Sequence, residues 1–436
     1  MSKKLIDSMS ELQIQQVPKL DKEELCQFVN SFLNRKDSFL RTNQEQGSPL
    51  YIFDFDALIK RASQFRNVFA KALPSVRVYY ALKSNSHPKI SEVLVQNGIG
   101  LDVSSGIELE QALKCNSNDI IFSGPGKQFN ELKLAIENSN KVTVLIDSFG
   151  ELEKLNALAR EMNTAVKCGL RLTTDDNGIW KKFGIPLSNL EEFFRKAEHC
   201  EFINLNGIQF HLSWNLNPEA QVKFLTKLGH TLHKLDNKYL SQIKFIDIGG
   251  GFWPEQGEWL QIAATPQGII ESAFKESPIR ALEHYKQYAS PLTEFAQHIS
   301  ETIKNEFPED LDCTICLEPG RWISHESMHV LLTVVDVKLP DVVITDGGTN
   351  IIGWDRFESD YFPVINLSSP SLEEHECLIA GSLCTPHDIW GYSYFGEDIK
   401  DGDILLIPNQ GAYTYSLRQE FIKPLPKCVD FSEEQN

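Results

Sequence analysis

Eight short runs of apolar and β-branched residues recur along residues 76–317, and each is bounded by turn residues, as β-strands are. The runs are Val76–Leu82, Gly98–Leu101, Asp119–Phe122, Val142–Ile146, Cys168–Leu170, Leu205–Phe210, Ile243–Ile248 and Thr314–Leu317. Between them lie segments with helical periodicity, namely Pro88–Gln96, Ile107–Leu113, Gln128–Ile136, Gly150–Arg160 and Glu219–Leu235. Strands that alternate with helices indicate a parallel sheet. Eight such units favour a closed (β/α)₈ barrel over an open sheet.

Nearly every run ends in a charged or glycine-rich group. In chain order these are Lys83, Asp102, Ser123-Gly124-Pro125-Gly126, Asp147, Arg171, His211, Gly249-Gly250-Gly251 and Glu318-Pro319-Gly320-Arg321. The active site of such a barrel lies where strands become loops, so we expect these groups to converge. A single polar strand end is weak evidence, because buried strands often end in one without any catalytic role. The prediction of a shared active site therefore depends on the whole set of polar strand ends.

The pattern changes after Arg321. Short strand-like runs follow, with Gly, Pro and Asp turns and little helix: Val330–Val337, Val342–Thr345, Cys377–Ala380 and Asp403–Ile407. We predict a barrel over residues 48–320 and a β-domain over residues 321–436, joined by a strand at Leu50–Phe53 from the segment near 48–55. Residues 1–47 are polar, with one amphipathic stretch at Leu25–Leu33.

Composition narrows the class of protein. The 436 residues include 42 Lys and Arg against 60 Asp and Glu, a net charge of −18, which argues against nucleic acid or an anionic membrane as a partner. No apolar run reaches transmembrane length, and the N-terminus lacks the apolar core of a signal peptide. Nine scattered cysteines do not resemble a disulfide framework. We expect a cytoplasmic protein.

One motif has the residue types and spacing of a metal site but not the helical context that such a site needs. His325-Glu326-Ser327-Met328-His329 is an H-E-x-x-H pattern, which binds zinc only when a helix places both imidazoles on one face. Here the motif continues into the strand-like run Val330–Val337, so we expect no metal. Cys313 and Cys316 lack a second C-x-x-C pair, and we expect them in the core.

A glycine-rich turn beside a lysine suggests a cofactor. Gly249-Gly250-Gly251 follows a strand and exposes backbone N–H groups that can hold a phosphate. Together with a lysine on a barrel strand this suggests pyridoxal 5'-phosphate, whose aldehyde forms a Schiff base with lysine. Glu318 fits a partner for the pyridine nitrogen, His211 could stack on the ring, and Tyr413 could offer its hydroxyl to the phosphate.

Residues 48–421 resemble the fold-type III pyridoxal-phosphate decarboxylases, the diaminopimelate/ornithine/arginine decarboxylase family, whose fold is a barrel plus a β-domain, as in alanine racemase. The motifs that carry the resemblance, in order, are Tyr80-Ala81-Leu82-Lys83-Ser84-Asn85, Asp102 to Glu108, Lys182-Phe183-Gly184, His211, Gly249 to Gly251, Glu318, Cys384-Thr385-Pro386-His387-Asp388, Gly402-Asp403 and Gly411-Ala412-Tyr413.

The resemblance implies roles for these residues. Catalytic roles fall on Lys83, His211 and Cys384. The implied cofactor ligands are Lys83, Asp102, His211, Ser213, Gly249, Gly250, Gly251, Glu318, Gly320, Arg321 and Tyr413. The implied substrate contacts are Arg171, Arg356, Tyr361, Thr385 and Asp388. Members of the family are homodimers in which the cysteine segment completes the partner's site, so a homodimer that binds an amino-acid substrate is implied.

Two departures from the family pattern affect the prediction. Leu212-Ser213-Trp214 places serine one position early, which puts the phosphate role of Ser213 in doubt. Thr385 occupies the position of an acid that holds the substrate's distal ammonium, and an unpaired buried ammonium is costly. We therefore predict a larger or acidic substrate, such as an amino-acid conjugate of siderophore or other secondary biosynthesis, with Arg356 as its candidate partner.

Three alternatives stay open at this point. Asp355 or Glu358 could replace the missing acid in a standard diaminopimelate or basic amino-acid decarboxylase. An amino-acid racemase has the same fold, but racemases of this type tend to set an arginine against the pyridine nitrogen, where this chain has Glu318. An inactive regulatory paralogue would not be expected to keep Lys83, His211, Glu318, Cys384 and Tyr413 together.

Overall fold

The computed structural model describes residues 17–274, 280–353 and 359–431, and these form two compact units. One unit comprises residues 56–255 and 290–324. The other comprises the residues up to Phe55, the segment Gln256–Ala289 and the residues from His325 onward.

The first unit is a closed barrel of eight parallel strands, as the sequence predicts. The strands are β1 (Val76–Ala81), β2 (Gly100–Val103), β3 (Ile120–Phe122), β4 (Val142–Ile146), β5 (Val166–Leu172), β6 (Ile203–Phe210), β7 (Phe245–Asp247) and β8 (Thr314–Leu317). β8 pairs with both β1 and β7, which closes the barrel. All eight predicted runs are strands, with ends that shift by up to a few residues.

Helices follow the strands of this unit. They are Phe55–Ala72, Pro88–Gln96, Gly106–Lys114, Phe129–Glu137, Phe149–Glu161, Leu190–Ala197, Glu219–Leu232, Asn237–Leu240, Leu292–Glu306 and Arg321–Ser324. Two of them begin directly after a strand end at a serine N-cap: Ser105 accepts from the N–H of Glu108, and Ser148 from that of Glu151. Short 3₁₀ turns lie at Leu82–Ser84, Ile179–Lys182 and Leu187–Asn189.

A packed apolar layer fills the middle of the barrel. The Phe245 ring occupies the space over two glycines, so that a Cβ at Gly207 would lie 2.0 Å from the Cζ atom of Phe245 and one at Gly169 would lie 2.8 Å away. Tyr79, Ile121, Leu145 and Cys316 pack in the same cluster. The polar groups at the carboxyl ends of the strands are therefore separated from the amino end of the barrel by packed side chains.

The second unit is built on an eight-stranded mixed sheet. In sheet order its strands are Val342–Thr345, Glu374–Ala380, Ile389–Phe395, Ile365–Asn366, Ile404–Ile407, Met328–Leu339, Leu50–Phe53 and Lys427–Asp430. A separate pair consists of Glu258–Leu260 and Tyr285–Gln287. The unit also contains the helices Lys22–Leu33, Lys36–Gln46 and Pro266–Phe274, and 3₁₀ turns at Ile262–Ala264, His325–Ser327, Thr349–Ile351 and Tyr415–Leu417.

The predicted domain boundaries differ from these units in two places. Gln256–Ala289 lies within the predicted barrel segment 48–320 but belongs to the second unit, because Trp259 packs in that unit's core with Leu331. The amphipathic stretch of the predicted polar segment 1–47 is also part of this core, where Val29 and Phe32 are buried. Leu50–Phe53 joins the β-sheet as predicted.

The H-E-x-x-H stretch is not a helix. His325 lies in a 3₁₀ turn with its Nε2 atom 3.1 Å from Oε1 of Gln256, whereas His329 lies in a strand and its Nδ1 accepts from the N–H of Asn409 at 3.1 Å. The two imidazoles therefore have separate partners. Within the described ranges, no helix combines the length and the apolar character needed to cross a bilayer.

Candidate active site

Lys83 lies in the 3₁₀ turn directly after β1, and its ammonium faces a buried carboxylate. Its Nζ donates to Oδ2 of Asp102 at 2.8 Å, and its side chain keeps 36% exposure. Asp102 is fully buried on β2 and accepts from the hydroxyl of Ser123 with its other oxygen. Burial raises the pKa of Asp102, and Glu318 adds to this, while Lys83 opposes it. The lysine is thus held in place and remains accessible.

Glu318 is buried at the end of β8 and stays ionised at neutral pH. Gln209 donates to its two oxygens at 3.4 and 3.5 Å. Burial alone would raise the pKa of Glu318, but the contacts with His211 and Lys83 outweigh it and lower the pKa to about 2. Gly320 lets this strand end approach the Lys83 turn, since a Cβ there would lie 2.9 Å from that of Ser84.

His211 follows β6 and faces the same space. Its Nδ1 lies 3.1 Å from the N–H of Gly250 and 3.6 Å from Oε2 of Glu318, and its Nε2 lies 3.3 Å from the hydroxyl of Ser213. When Nδ1 carries the proton, it donates to Glu318, and the Gly250 N–H is released. When Nε2 carries the proton, Nδ1 accepts from the N–H of Gly250. Burial lowers the pKa of His211, so the ring is neutral at pH 7.

The glycine loop after β7 packs between the ends of β6 and β8. A Cβ at Gly250 would lie 2.1 Å from the carbonyl oxygen of Glu318, and Gly249 and Gly251 have φ angles of +69° and +80°. Only glycine fits this backbone without strain. The Gly249 N–H donates to Asp247 at 2.8 Å and the Gly250 N–H to His211, whereas the Gly251 N–H has no partner among the described residues.

Asp247, which is not among the predicted site residues, is a third buried carboxyl group in this space. Burial and the neighbouring Glu318 raise its pKa well above its usual range. Its position two residues before the glycines, at the end of a barrel strand, is the signal that would have identified it. Asp102, Asp247 and Glu318 together surround the site with acid groups, of which Glu318 has a lowered pKa.

Arg171 is brought to the same end of the barrel but is occupied by the protein itself. One of its terminal nitrogens donates to the carbonyl oxygen of Ser123 at 2.8 Å, its Nε lies 4.0 Å from Asp147, and its guanidinium lies 4.5 Å from the centroid of the Phe183 ring. Gly184, with φ of +67°, donates its N–H to the same Asp147 at 3.0 Å. Arg171 therefore ties the loop after β5 to β3, and its role as a substrate contact stays a prediction.

Arg321, predicted to be a cofactor ligand, is half-buried with its guanidinium 4.3 Å from the centroid of the Trp253 ring. Trp253 in turn stacks on Trp214, which is 65% exposed and adopts φ of +55°. The tryptophan that departs from the family pattern thus presents an open aromatic face after β6.

The remaining predicted residues lie in the second unit. Cys384 is exposed and Thr385 is half-buried in the loop Leu383–Asp388, while Tyr413 has φ of +61°. Arg356 falls outside the described residues, as do Asp355 and Glu358.

Two predicted substrate contacts, Asp388 and Tyr361, have buried partners within the protein. Asp388 is buried and accepts from the N–H groups of Thr349 and Leu383, both at 2.6 Å, so that it anchors the cysteine loop. Tyr361 is buried in the core, where its hydroxyl donates to Glu374 at 3.0 Å and its ring stacks on His284 at 3.5 Å. Their roles as substrate contacts stay predictions.

The barrel residues fit pyridoxal 5'-phosphate. Lys83 presents an accessible amine, and Glu318 is a carboxylate that stays ionised. The loop at Gly251, where a side chain would not fit, carries a backbone N–H that has no partner in the part of the chain that the structure describes. The aldehyde of the cofactor requires an amine, its pyridinium requires an anion, and its phosphate requires a backbone donor.

Comparison with known proteins identifies the family. Residues 56–325 match the family described as pyridoxal-dependent decarboxylase, pyridoxal binding domain. This is more than half of the chain, and the chain belongs to that family, the fold-type III pyridoxal-phosphate decarboxylases. It is accordingly a pyridoxal-phosphate-dependent enzyme of the carboxy-lyase class that acts in amino-acid metabolism.

Individual relatives span most of the chain. A diaminopimelate decarboxylase from Campylobacter jejuni is 25% identical over 399 residues, which cover 88% of this chain and 90% of that protein. An L-glutamyl-[BtrI acyl-carrier protein] decarboxylase from Niallia circulans is 25% identical over 396 residues, 85% of each. The crystal structure of diaminopimelate decarboxylase from Helicobacter pylori complexed with L-lysine matches the fold with a TM-score of 0.72 at 24% identity, covering 90% of this chain and 94% of that one.

Proposed function

We propose that this decarboxylase acts on an amino acid without a free distal ammonium, such as an amino-acid conjugate. The observation that carries the proposal is Thr385, which follows Cys384 where the family resemblance leads us to expect an acid. The one carboxylate in the same loop, Asp388, is buried and accepts hydrogen bonds with both oxygens from within the protein. It is therefore not available to a substrate ammonium.

The relatives support two versions of the substrate. The Niallia circulans protein is named for a glutamyl group carried on an acyl-carrier protein, which is a conjugate. Siderophore or other secondary biosynthesis would supply substrates of this type, with Arg356 as a partner for an acidic group. The Campylobacter jejuni protein is named for diaminopimelate, which keeps the standard diaminopimelate or basic amino-acid decarboxylase as the second candidate.

Different residues of the chain have separate roles in the reaction. Pyridoxal phosphate, when bound at Lys83, supplies an electron sink for the electron pair left on Cα as the carboxylate departs as CO₂. Asp102 orients the amine of Lys83, and Glu318 would keep a proton on the pyridine nitrogen. The Gly251 N–H, with Ser213, Arg321 and Tyr413, would hold the phosphate.

Proton delivery completes the reaction. The exposed thiol of Cys384 would donate a proton to Cα after CO₂ has left. We infer that this thiol comes from the partner chain of a homodimer. Large apolar side chains are exposed in the segments that follow barrel strands, at the starts of two helices (Ile107, 82%, and Phe129, 64%), in a 3₁₀ turn (Ile179, 88%) and in a loop (Trp214, 65%). A second copy of the chain would cover them.

The free state of the cysteines supports a cytoplasmic location. All nine are free thiols in the structure, which is the ordinary state in a reducing compartment.

Steady-state kinetics on the cofactor-loaded enzyme test the substrate. Free lysine, ornithine and diaminopimelate should each give kcat/KM below about 10⁴ M⁻¹s⁻¹, and a glutamyl substrate that is conjugated or carrier-linked through its side-chain carboxyl, with its α-amine free, should exceed it. Thr385→Asp should raise kcat/KM for the free diamino acids, whereas Thr385→Val, which adds no charge, should not. A value above that threshold with a free diamino acid and the unaltered enzyme would assign the standard activity instead.

A further inference from the structure

The amino end of the barrel contains a cavity of about 600 Å³, a size typical of small-molecule sites. It is lined by barrel residues alone and lies at the opposite end of the strands from Lys83. Its floor is the apolar layer of Tyr79, Ile121, Phe245 and Cys316, with Phe245 lying over Gly169 and Gly207. A ligand in this cavity would therefore not reach the catalytic lysine.

The charge of this cavity is opposite to that of the protein. Arg77, Lys141, Lys167 and Lys244 line it, against the single acid Asp119, in a chain with a net charge of −18. Asp119 is already engaged, because it accepts from the hydroxyl of Tyr79 at 2.9 Å and lies 3.7 Å from Arg77. The three lysines make no ion pair with any residue in the described ranges.

The lining also carries an unpaired polar group. The buried Oδ1 atom of Asn206 has no hydrogen-bond partner among the residues that the structure describes. An asparagine side chain can present either its oxygen or its NH₂ by a half-turn, so this amide can donate to a ligand as well as accept from one. A desolvated amide together with several ammonium groups is suited to oxygen atoms that carry negative charge.

We propose that this cavity is a binding site for a small anion with two or more negative charges, a phosphate ester or a polycarboxylate. Three ammonium groups without carboxylate partners can each form a charge-assisted hydrogen bond to such a ligand. Lys167 lies on β5, and Lys141 and Lys244 directly precede β4 and β7, so these residues are at the opposite end of the barrel from Lys83 and Glu318. The site is separate from the substrate site, and the proposal does not depend on the identity of the substrate.

Calorimetric titration of the cofactor-loaded protein at low ionic strength tests this site. Pyrophosphate and citrate are titrated separately, so that the two anion classes are distinguished, and a bound cofactor blocks its own phosphate site. We expect saturable binding of at least one anion at one site per chain. In Lys167→Ala/Lys244→Ala its Kd should rise at least about tenfold, because two charge-assisted contacts are lost.

The control is Lys223→Ala/Lys227→Ala, which removes two exposed lysines of the helix Glu219–Leu232 and should leave the Kd unchanged. Both double variants should keep the circular dichroism of the parent, because all four lysines are exposed. The proposal is overturned if neither anion gives saturable binding up to about 10 mM, a range that includes weak millimolar sites. It is also overturned if the cavity variant binds as tightly as the parent protein.

Discussion

Replacing Glu318 by glutamine removes the negative charge of the site while keeping its shape. The structure holds the pKa of this carboxyl at about 2 against an ordinary 4.5, which corresponds to about 3 kcal/mol in favour of the ionised form. An amide cannot keep a proton on the pyridine nitrogen. Loss of a preorganised charge partner lowers turnover by about 10²–10³, or roughly 3–4 kcal/mol.

The assay for Glu318→Gln is CO₂ release from carboxyl-labelled substrate, alongside the absorbance of the bound cofactor. Gln209 can still donate to the amide oxygen, so the variant should fold and retain the cofactor. Glu306→Gln, on the helix Leu292–Glu306, is the matched control and should keep full turnover. If Glu318→Gln binds the cofactor and its kcat stays within about twofold of the parent, Glu318 does not have the proposed role.

Three further predictions concern other parts of the molecule. Asp388→Ala should lower the free energy of unfolding by about 2–3 kcal/mol in urea titrations, because two N–H donors lose their acceptor; a loss below about 0.5 kcal/mol would contradict the anchoring role. Burial lowers the pKa of His329 to about 3, so the unfolded chain takes up a proton below pH 6.5 that the folded chain does not. This one group should contribute a fall in the unfolding free energy of up to about 1.4 kcal/mol per pH unit between pH 6.5 and 3, so the slope should be less steep in His329→Gln, and equal slopes would refute this. Mixing Lys83→Ala with Cys384→Ala subunits should restore part of the activity, since one of the two shared sites is then intact, and no recovery after verified subunit exchange would exclude such sharing.

The barrel and much of its site follow from local patterns in the sequence. The eight apolar runs identify the strands, and the carboxyl ends of parallel strands meet at one end of a barrel, so the approach of Lys83 to Asp102 and of His211 to Glu318 could be expected. Asp247 could have been included by the same reasoning.

Other features depend on contacts between distant parts of the chain. The segment Gln256–Ala289 joins the β-rich unit because Trp259 packs there, and its strand and helix pattern does not reveal which unit it enters. Asp388 and Tyr361 stand in motif-like positions, and only their buried partners show that they stabilise the fold. Pattern and spacing report which residues are polar, but not whether their hydrogen-bonding groups are already occupied.

Borohydride reduction of the cofactor-loaded enzyme, followed by peptide mass spectrometry, tests the central claim most directly. Reduction fixes the cofactor to the amine that holds it, so the mass of a reduced pyridoxal phosphate adduct should appear on the peptide that contains Lys83. The same treatment of Lys83→Ala should give no adduct. An adduct on another lysine, or an equal amount of adduct in Lys83→Ala, would contradict an active site built around Lys83.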